Sequence, residues 1–400
     1  MAEAASSTRL RVRVLNQIAA QGLRRLPAER YEVGKDLADP DAILLRSADL
    51  HALELPASVK AIARAGAGTN NIPVAAMTAR GVPVFNAPGA NANAVKELVV
   101  AGMLLAARNL PAALRFVATL DAHAPDLEHA IEHGKKAYAG CELAGHTLGV
   151  VGLGKIGCLV ADAAIRLGMD VLGYDPHITV DAAWSLPAQV RKAASVADLI
   201  KHSHFVTLHV PLAEATRHLV DADKLALMKP GAVLLNFARA GVVDEAAVAA
   251  ALERRALHAY VCDFPSPRLA GCERAIALPH LGASTREAED NCARMVVDQL
   301  REYLEHGQVE HAVNFPSVTM ARESPWRVAI ANANVPNMLG QISTAMARAG
   351  LNIHNMVNKS RGEVAYTLVD VDSAVGAELL AELRRIEGVL AVRYLVQAAG

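Results

Sequence analysis

The sequence predicts an α/β protein: a parallel, doubly wound sheet that takes a dinucleotide, a second region built from βα units, and a small α+β tail. Three observations predict it. Short apolar runs alternate with helical patterns from Leu10 to Glu305, the signature of parallel sheets. Gly152, Gly154 and Gly157 stand at G-x-G-x-x-G spacing between an apolar run and an amphipathic stretch. From Arg327 onward the order changes to βαββαβ, a ferredoxin-like pattern.

The glycine motif organises the chain. Leu148 to Val151 reads as a strand, and Ile156, Leu159, Val160, Ala163, Ala164 and Leu167 then recur on one helical face that Gly168 ends. Met169 to Tyr174 is a second strand with Asp175 at its tip. The glycines permit a tight turn, a close approach of backbone to pyrophosphate, and close packing of helix on strand. The helix N-terminus offers unpaired N–H groups to phosphates. Asp175 can accept from both ribose hydroxyls, and its charge repels a 2′-phosphate, which selects NAD over NADP. This is a Rossmann-type unit.

Composition narrows the function. The chain has 400 residues, net charge −1, 52% hydrophobic and 4% aromatic residues. Two or three domains with aliphatic cores follow, and there is no electrostatic case for nucleic acid or an anionic membrane. The longest apolar run, Leu98 to Ala107, is too short to span a bilayer. The first residues, MAEAASSTR, carry no hydrophobic targeting core. Cys141, Cys158, Cys262, Cys272 and Cys292 show neither paired nor metal-ligand spacing, which fits a reduced cytoplasm. Cys158 at the start of the nucleotide helix reads either as a low-pKa thiol or as a small packed side chain.

Taken in order, residues 1 to 8 are expected to lack structure. Leu10–Leu15 is a strand, Asn16–Leu26 a helix, Ala42–Leu45 a strand ending at Arg46-Ser47, and Val59–Arg64 a strand running into AGAGTNN. A short helix around 75–80 precedes the strand Val82–Phe85. Strand C-termini are where open α/β sheets bind ligands. Arg46 with Ser47 suits an anion, or Arg46 is a surface ion pair. The Gly66–Asn70 turn offers clustered backbone N–H groups. Asn93 is placed to cap a long apolar crossover helix, Val95–Arg108, and the polar stretch 111–140 holds one helix, 127–133. After the glycine motif, strands fall at His204–His209, Ala232–Phe237, Ala259–Cys262 and Ala275–Leu278. A helix covers Glu245–Arg254, and Arg286–Glu305 is a long amphipathic helix. Phe315–Pro325 reads as a linker to a self-standing tail.

Arg239, Asp263 and His280 each follow a strand end of the nucleotide domain. Arg239 can grip a carboxylate bidentately, His280 can take a hydroxyl proton as hydride leaves, and Asp263 can hold a nicotinamide carboxamide. Each alone also reads as a structural polar residue at a strand end.

NFARAGVVDE (236–245), CDFP (262–265), PHLGAST (279–285) and GLGKIG (152–157) resemble the D-2-hydroxyacid dehydrogenases. The match is closer to the branch that acts on 3-phosphoglycerate, through LLRSA (44–48), RAGAGTNN (64–71), FNAPGANANAVKEL (85–98), EDNCARM (289–295) and VNFP (313–316). The tail is similar to ACT domains, serine-sensing modules attached to many of these enzymes. The resemblance implies NAD-dependent oxidation of 3-phospho-D-glycerate to 3-phosphohydroxypyruvate, the first step of serine synthesis, by a cytoplasmic homodimer or tetramer. It implies a flavodoxin-like substrate domain in two pieces, 8–94 and 284–314, around an NAD domain at 95–283, with linker 315–325 and ACT domain 326–400.

By the same resemblance, Arg239 binds the substrate carboxylate and His280 is the acid/base. Gly152, Gly154, Lys155, Ile156, Gly157, Asp175, Phe237, Ala238, Asp263 and Gly282 line the NAD site. Arg46 and Ser47 meet the phosphate, with Gly66, Ala67, Gly68 and Asn70 beside the carboxylate. Asn332, Asn334 and Asn352 match serine-binding positions, and the Val95–Arg108 helix is the subunit contact. Two departures stand out. Arg268 occupies the place of the family's glutamate that pairs with the histidine, a cation there favours neutral imidazole, and Glu273 is the one candidate substitute. Asn337 stands where the ACT loop usually has glycine, and asparagine tolerates φ > 0. Action on another 2-hydroxy acid such as 2-hydroxyglutarate, and a weakly catalytic NAD-bound sensor, are the alternatives, because fold does not fix function.

Overall fold

The computed structural model describes residues 9–397; the first eight residues, expected to lack structure, lie outside them. The chain divides into two compact units, one of residues up to Asn91 together with those from Arg286 on, the other Ala92–Thr285.

In the first unit, β1 (Leu10–Val14), β2 (Tyr31–Gly34), β3 (Ala42–Leu45), β4 (Ala61–Arg64) and β5 (Val84–Phe85) form a parallel sheet in the order 2-1-3-4-5. That is the flavodoxin-like order. The 21-residue helix Arg286–His306 lays Cys292, Ala293, Val296, Val297, Leu300 and Leu304 into the same core as Val12, Leu44 and Ala63. The helix expected over 16–26 shrinks to Ala20–Leu23. Asn16 lies at φ +68°, outside helical space, and a Cβ on Gly22 would sit 2.7 Å from Ala293. Close docking on the long helix, not helix propensity, shapes this segment.

The second unit holds β6 (Thr147–Val151), β7 (Asp170–Tyr174), β8 (Arg191–Lys192), β9 (Phe205–Leu208), β10 (Ala232–Asn236), β11 (Leu257–Cys262) and β12 (Ala275–Ala277). Their order, 12-11-10-9-6-7-8, is parallel throughout. Strands 8-7-6-9-10-11 reproduce the Rossmann order with its switch point beside β6. The sheet is covered by the helices Ala92–Ala107 and Lys155–Arg166 in one core and by Val196–His202 and Glu245–Glu253 in another.

Two expectations change here. Asn93 sits inside the helix Ala92–Ala107, bonding Glu97, and does not cap it. That helix buries Val95, Val99, Met103, Ala106 and Ala107 and leaves Leu98, Val100 and Leu105 half-buried and Leu104 exposed, so apolar surface remains on it. The segment 111–140 contains an additional helix, Leu110–Thr119, with no buried residue. Among the described residues no single helix is long and apolar enough to cross a membrane. The pair Ala92–Ala107 and Leu110–Thr119 passes that test only together, bent by 63°.

The tail, β13 (Trp326–Ala333), β14 (Ile353–Arg361), β15 (Val364–Val371) and β16 (Val389–Val396), forms an antiparallel sheet in the order 14-15-13-16. Its helices are Met338–Arg348 and Ala377–Arg385. One face, with Val328, Ile330, Val369 and Val371, packs on those helices. The other, with Ala329, Ala331, Tyr366 and Leu368, joins the core of the first unit. The tail is therefore no module hanging on a linker. Arg393 stacks on Tyr303 at 4.3 Å and donates to the Tyr303 and Leu304 carbonyls, and the Tyr366 hydroxyl donates to Gly307 O at 2.7 Å. These bonds fall on carbonyls at and just past the C-terminal end of the helix Arg286–His306, where the helix's own N–H donors run out. Asn337 adopts φ +63°, so the turn survives the exchange of glycine for asparagine.

Candidate active site

The nucleotide loop leaves β6 at Gly152, whose φ is +91° and whose Cβ, if present, would lie 2.5 Å from His209 O. A Cβ on Gly157 would lie 2.0 Å from Gly152 O. Both positions therefore exclude side chains, as a tight phosphate-binding turn requires. Gly154, by contrast, would meet nothing within 4 Å, leaving an open cradle at the N-terminus of the helix Lys155–Arg166, with Lys155 exposed and Ile156 half-buried behind it. Asp175 accepts from Leu153 N at 2.9 Å and from His177 N at 2.8 Å. Each oxygen keeps a lone pair for a ribose hydroxyl, so the donor and acceptor set fits a dinucleotide without a 2′-phosphate. Cys158 is buried, its thiol pointing at Leu153 O, and burial pushes its pKa up. It is a packed side chain, not a reactive thiol.

Arg239 and Asp263 are linked through one residue that the motif reading passed over, and Asp263 in turn holds the loop after His280. Asn236, fully buried at the end of β10, donates from Nδ2 to Arg239 O at 2.9 Å and accepts at Oδ1 from Ala238 N. Its backbone carbonyl accepts from Asp263 N at 3.3 Å. Asp263 is 2% exposed. Its two carboxylate oxygens accept from Leu281 N and Gly282 N, both at 2.7 Å. Asp263 thus clamps the loop that follows His280, a role beyond the carboxamide contact expected of it. A Cβ on Gly282 would come within 3.0 Å of that carboxylate. Phe237 turns its ring onto Gly102 in the core, so only its backbone faces the loop region. Arg239 is exposed, with Nη1 resting on Ala238 O at 2.6 Å. His280 is exposed at φ +57°, its ring 5.2 Å from that of Phe264. Neither Arg268 nor Glu273 bonds to it.

In the first unit, Arg46 follows β3 and pairs with Glu289 of the long helix, Nη1 to Oε1 2.6 Å. Asn16 Oδ1 accepts from Ser47 N and Ala48 N. Asn71 donates to Ala48 O and Arg46 O and accepts from Arg64 Nε at 2.9 Å, so two arginines flank one turn. Within that turn Gly66 abuts the Arg64 guanidinium, Ala67 O accepts from Asn86, and Asn70 O meets His51; Gly68 is half-buried. Asn16, Arg64, Asn71 and Glu289 were not assigned roles from sequence.

In the tail, Asn332 is buried and bonded to Ala333 O and Thr367, and Asn334 bonds Gly362 O. Both lie where β13 meets the start of β15. Asn352 pairs with Asp372 at the other end of the sheet, roughly 20 Å away at about 3.3 Å per residue. One chain does not bring the three asparagines together.

Residues 100–282 match the family described as D-isomer specific 2-hydroxyacid dehydrogenase, NAD binding domain. A D-3-phosphoglycerate dehydrogenase of Haemophilus influenzae is 33% identical over 341 residues, 82% of this chain and 79% of that protein. The chain belongs to the D-isomer specific 2-hydroxyacid dehydrogenases. Another relative, the D-3-phosphoglycerate dehydrogenase of Methanocaldococcus jannaschii, is 36% identical over 298 residues, 72% of this chain and 54% of that protein. The chain spans about half the length of several such relatives. The TT0316 protein of Thermus thermophilus superposes with a TM-score of 0.63 at 27% identity, over 76% of this chain and 100% of that one. Within the family frame, the Gly152–Asp175 unit is its NAD-binding unit.

Proposed function

We propose that the protein oxidises 3-phospho-D-glycerate to 3-phosphohydroxypyruvate with NAD, opening L-serine synthesis in the cytoplasm. The observation that carries the reading is the set Arg239, Asp263 and His280 at three strand ends of one NAD-binding sheet, Arg239 and Asp263 tied through Asn236 and Asp263 holding the loop after His280. Bound NAD supplies the hydride acceptor. The exposed Arg239 guanidinium, released from Ala238 O, takes the substrate carboxylate through two parallel N–H bonds. His280 accepts the hydroxyl proton at a ring nitrogen as the C–H bond gives up its hydride and the carbon–oxygen double bond forms. Arg46 exchanges Glu289 for the substrate phosphate, with the Ser47 hydroxyl beside it.

The phosphate assignment separates this reading from action on an unphosphorylated 2-hydroxy acid. Arg46→Ala should raise KM for 3-phosphoglycerate about 10- to 100-fold, the range for a hydrogen bond to a charged group of about 1.5–3 kcal/mol. KM for unphosphorylated substrates should stay within about twofold. Equal effects on both would refute the phosphate role, and NADH formation that survives His280→Ala would refute the base.

We infer also that the chain is a homodimer or larger, supported by the unburied apolar side chains on Leu110–Thr119, Leu114 being 67% and Val117 59% exposed. A serine site that draws on Asn332, Asn334 and Asn352 takes them from two copies of the tail.

A further inference from the structure

The imidazole of a catalytic histidine must point one ring nitrogen at the substrate hydroxyl. A hydrogen-bonded carboxylate commonly enforces this. No described carboxylate lies within ion-pair distance of His280, and its ring contact is an edge-to-face pair with Phe264, centroids 5.2 Å apart and planes at 65°. That is the geometry aromatic pairs prefer. Phe264 directly follows Asp263, whose oxygens hold Leu281 N and Gly282 N, and His280 N itself donates to Leu278 O at 3.0 Å. The strained φ of +57° at His280 is thus over-determined by bonds on both sides, as strain at a functional position must be.

We propose that Phe264 is the positioning residue for His280: one aromatic ring, seated on the Asp263 clamp, fixes the imidazole orientation that a paired carboxylate would otherwise fix. The proposal rests on the reading of His280 as the base. It follows that this imidazole is oriented without a carboxylate bonded to its ring, so the exposed Arg268 stands where no paired carboxylate is needed.

The test compares Phe264→Leu, which keeps bulk and loses the ring, with Phe264→Tyr, which keeps the ring. With 3-phosphoglycerate, Phe264→Leu should lose about tenfold in kcat while KM for both substrate and NAD stays within about twofold, and Phe264→Tyr should keep the parent's kcat. A second readout needs no turnover. In protein labelled at histidine, the carbon-bound ring proton resonance of His280, assigned by its loss in His280→Gln, should be displaced by the Phe264 ring current and return toward the free-imidazole position in Phe264→Leu but not in Phe264→Tyr. A parent that does not oxidise 3-phosphoglycerate would sink the dehydrogenase reading and leave the resonance to judge the positioning. Phe264→Leu with the parent's kcat, a kcat loss matched by a rise in KM, or an unmoved His280 resonance would overturn the proposal.

Discussion

Asp370→Leu should destabilise the tail by about 3–5 kcal/mol, the cost of breaking a buried ion pair by removing one partner. Arg327 and Asp370 are both 0% exposed. Arg327 donates from Nε to Oδ1 at 2.6 Å and from Nη2 to Oδ2 at 2.8 Å, a bidentate fork, and also to His306 O and Ala321 O. Removing the carboxylate leaves a guanidinium with two carbonyl acceptors and no counter-charge. It also strands Glu323 N, which Asp370 accepts at 3.1 Å. Arg327→Met should cost a similar amount for the mirror reason. Replacing both, Arg327→Met with Asp370→Leu, should recover most of the loss, because well-packed apolar substitutes for a buried pair are often neutral. The cycle is read by urea unfolding of the intact chain. The protein has two tryptophans, so a Trp184→Phe background leaves Trp326, at the start of β13, as sole reporter of the tail. A coupling energy under about 0.5 kcal/mol would refute the argument, since independent sites add to within about that margin.

Two further outcomes follow from the packing. His209 is held neutral by burial, its pKa pushed down to about 3, with Nε2 on Thr207 Oγ1 and Nδ1 buried without a partner. Below pH 6.5 the unfolded chain binds a proton that the native protein rejects, so stability falls from there toward pH 3; His209→Gln should flatten that decline in denaturation midpoints, and an unchanged slope would refute it. Leu114→Glu, on a helix with no buried residue, should leave circular dichroism unchanged and shift the mass measured by light scattering toward the monomer, and an unchanged mass would place the subunit contact elsewhere.

The tail shows what the sequence carried and how it was under-read. Its βαββαβ order was legible from period and punctuation. Its attachment was also written in β15, where Ala365, Tyr366, Thr367, Leu368, Val369, Asp370 and Val371 are all buried. An antiparallel strand in a two-layer module needs one apolar face. An apolar residue on both faces calls for a second cover, and the helix Arg286–His306 with the first sheet supplies it. The buried Asp370 within that run is explained only by Arg327, which lies 43 residues away. Periodicity tells which face is apolar; it does not tell what lies against it.

The proposed active-site residues were legible for a different reason than their supports were not. Arg46, Arg239 and His280 announce themselves by chemistry at strand ends. The groups that hold them do not, because their partners are remote in sequence. Asn16 receives the N–H groups of Ser47 and Ala48 from 31 and 32 residues away, and Asp263 receives those of Leu281 and Gly282 from 18 and 19. In each loop one side chain, the exposed amide of Asn16 or the buried carboxylate of Asp263, satisfies backbone groups that a turn leaves unpaired, and the proposed functional side chain is aimed as a consequence. This explains why the loop bonds of Asp263 could not be read from sequence, since a carboxylate at a strand end looks the same whether it faces a ligand or a loop. It also explains why Phe264 carried no signal. An aromatic residue after a strand reads as core until the loop it supports is known to return, and only the left-handed turn at His280 brings the imidazole back over its ring.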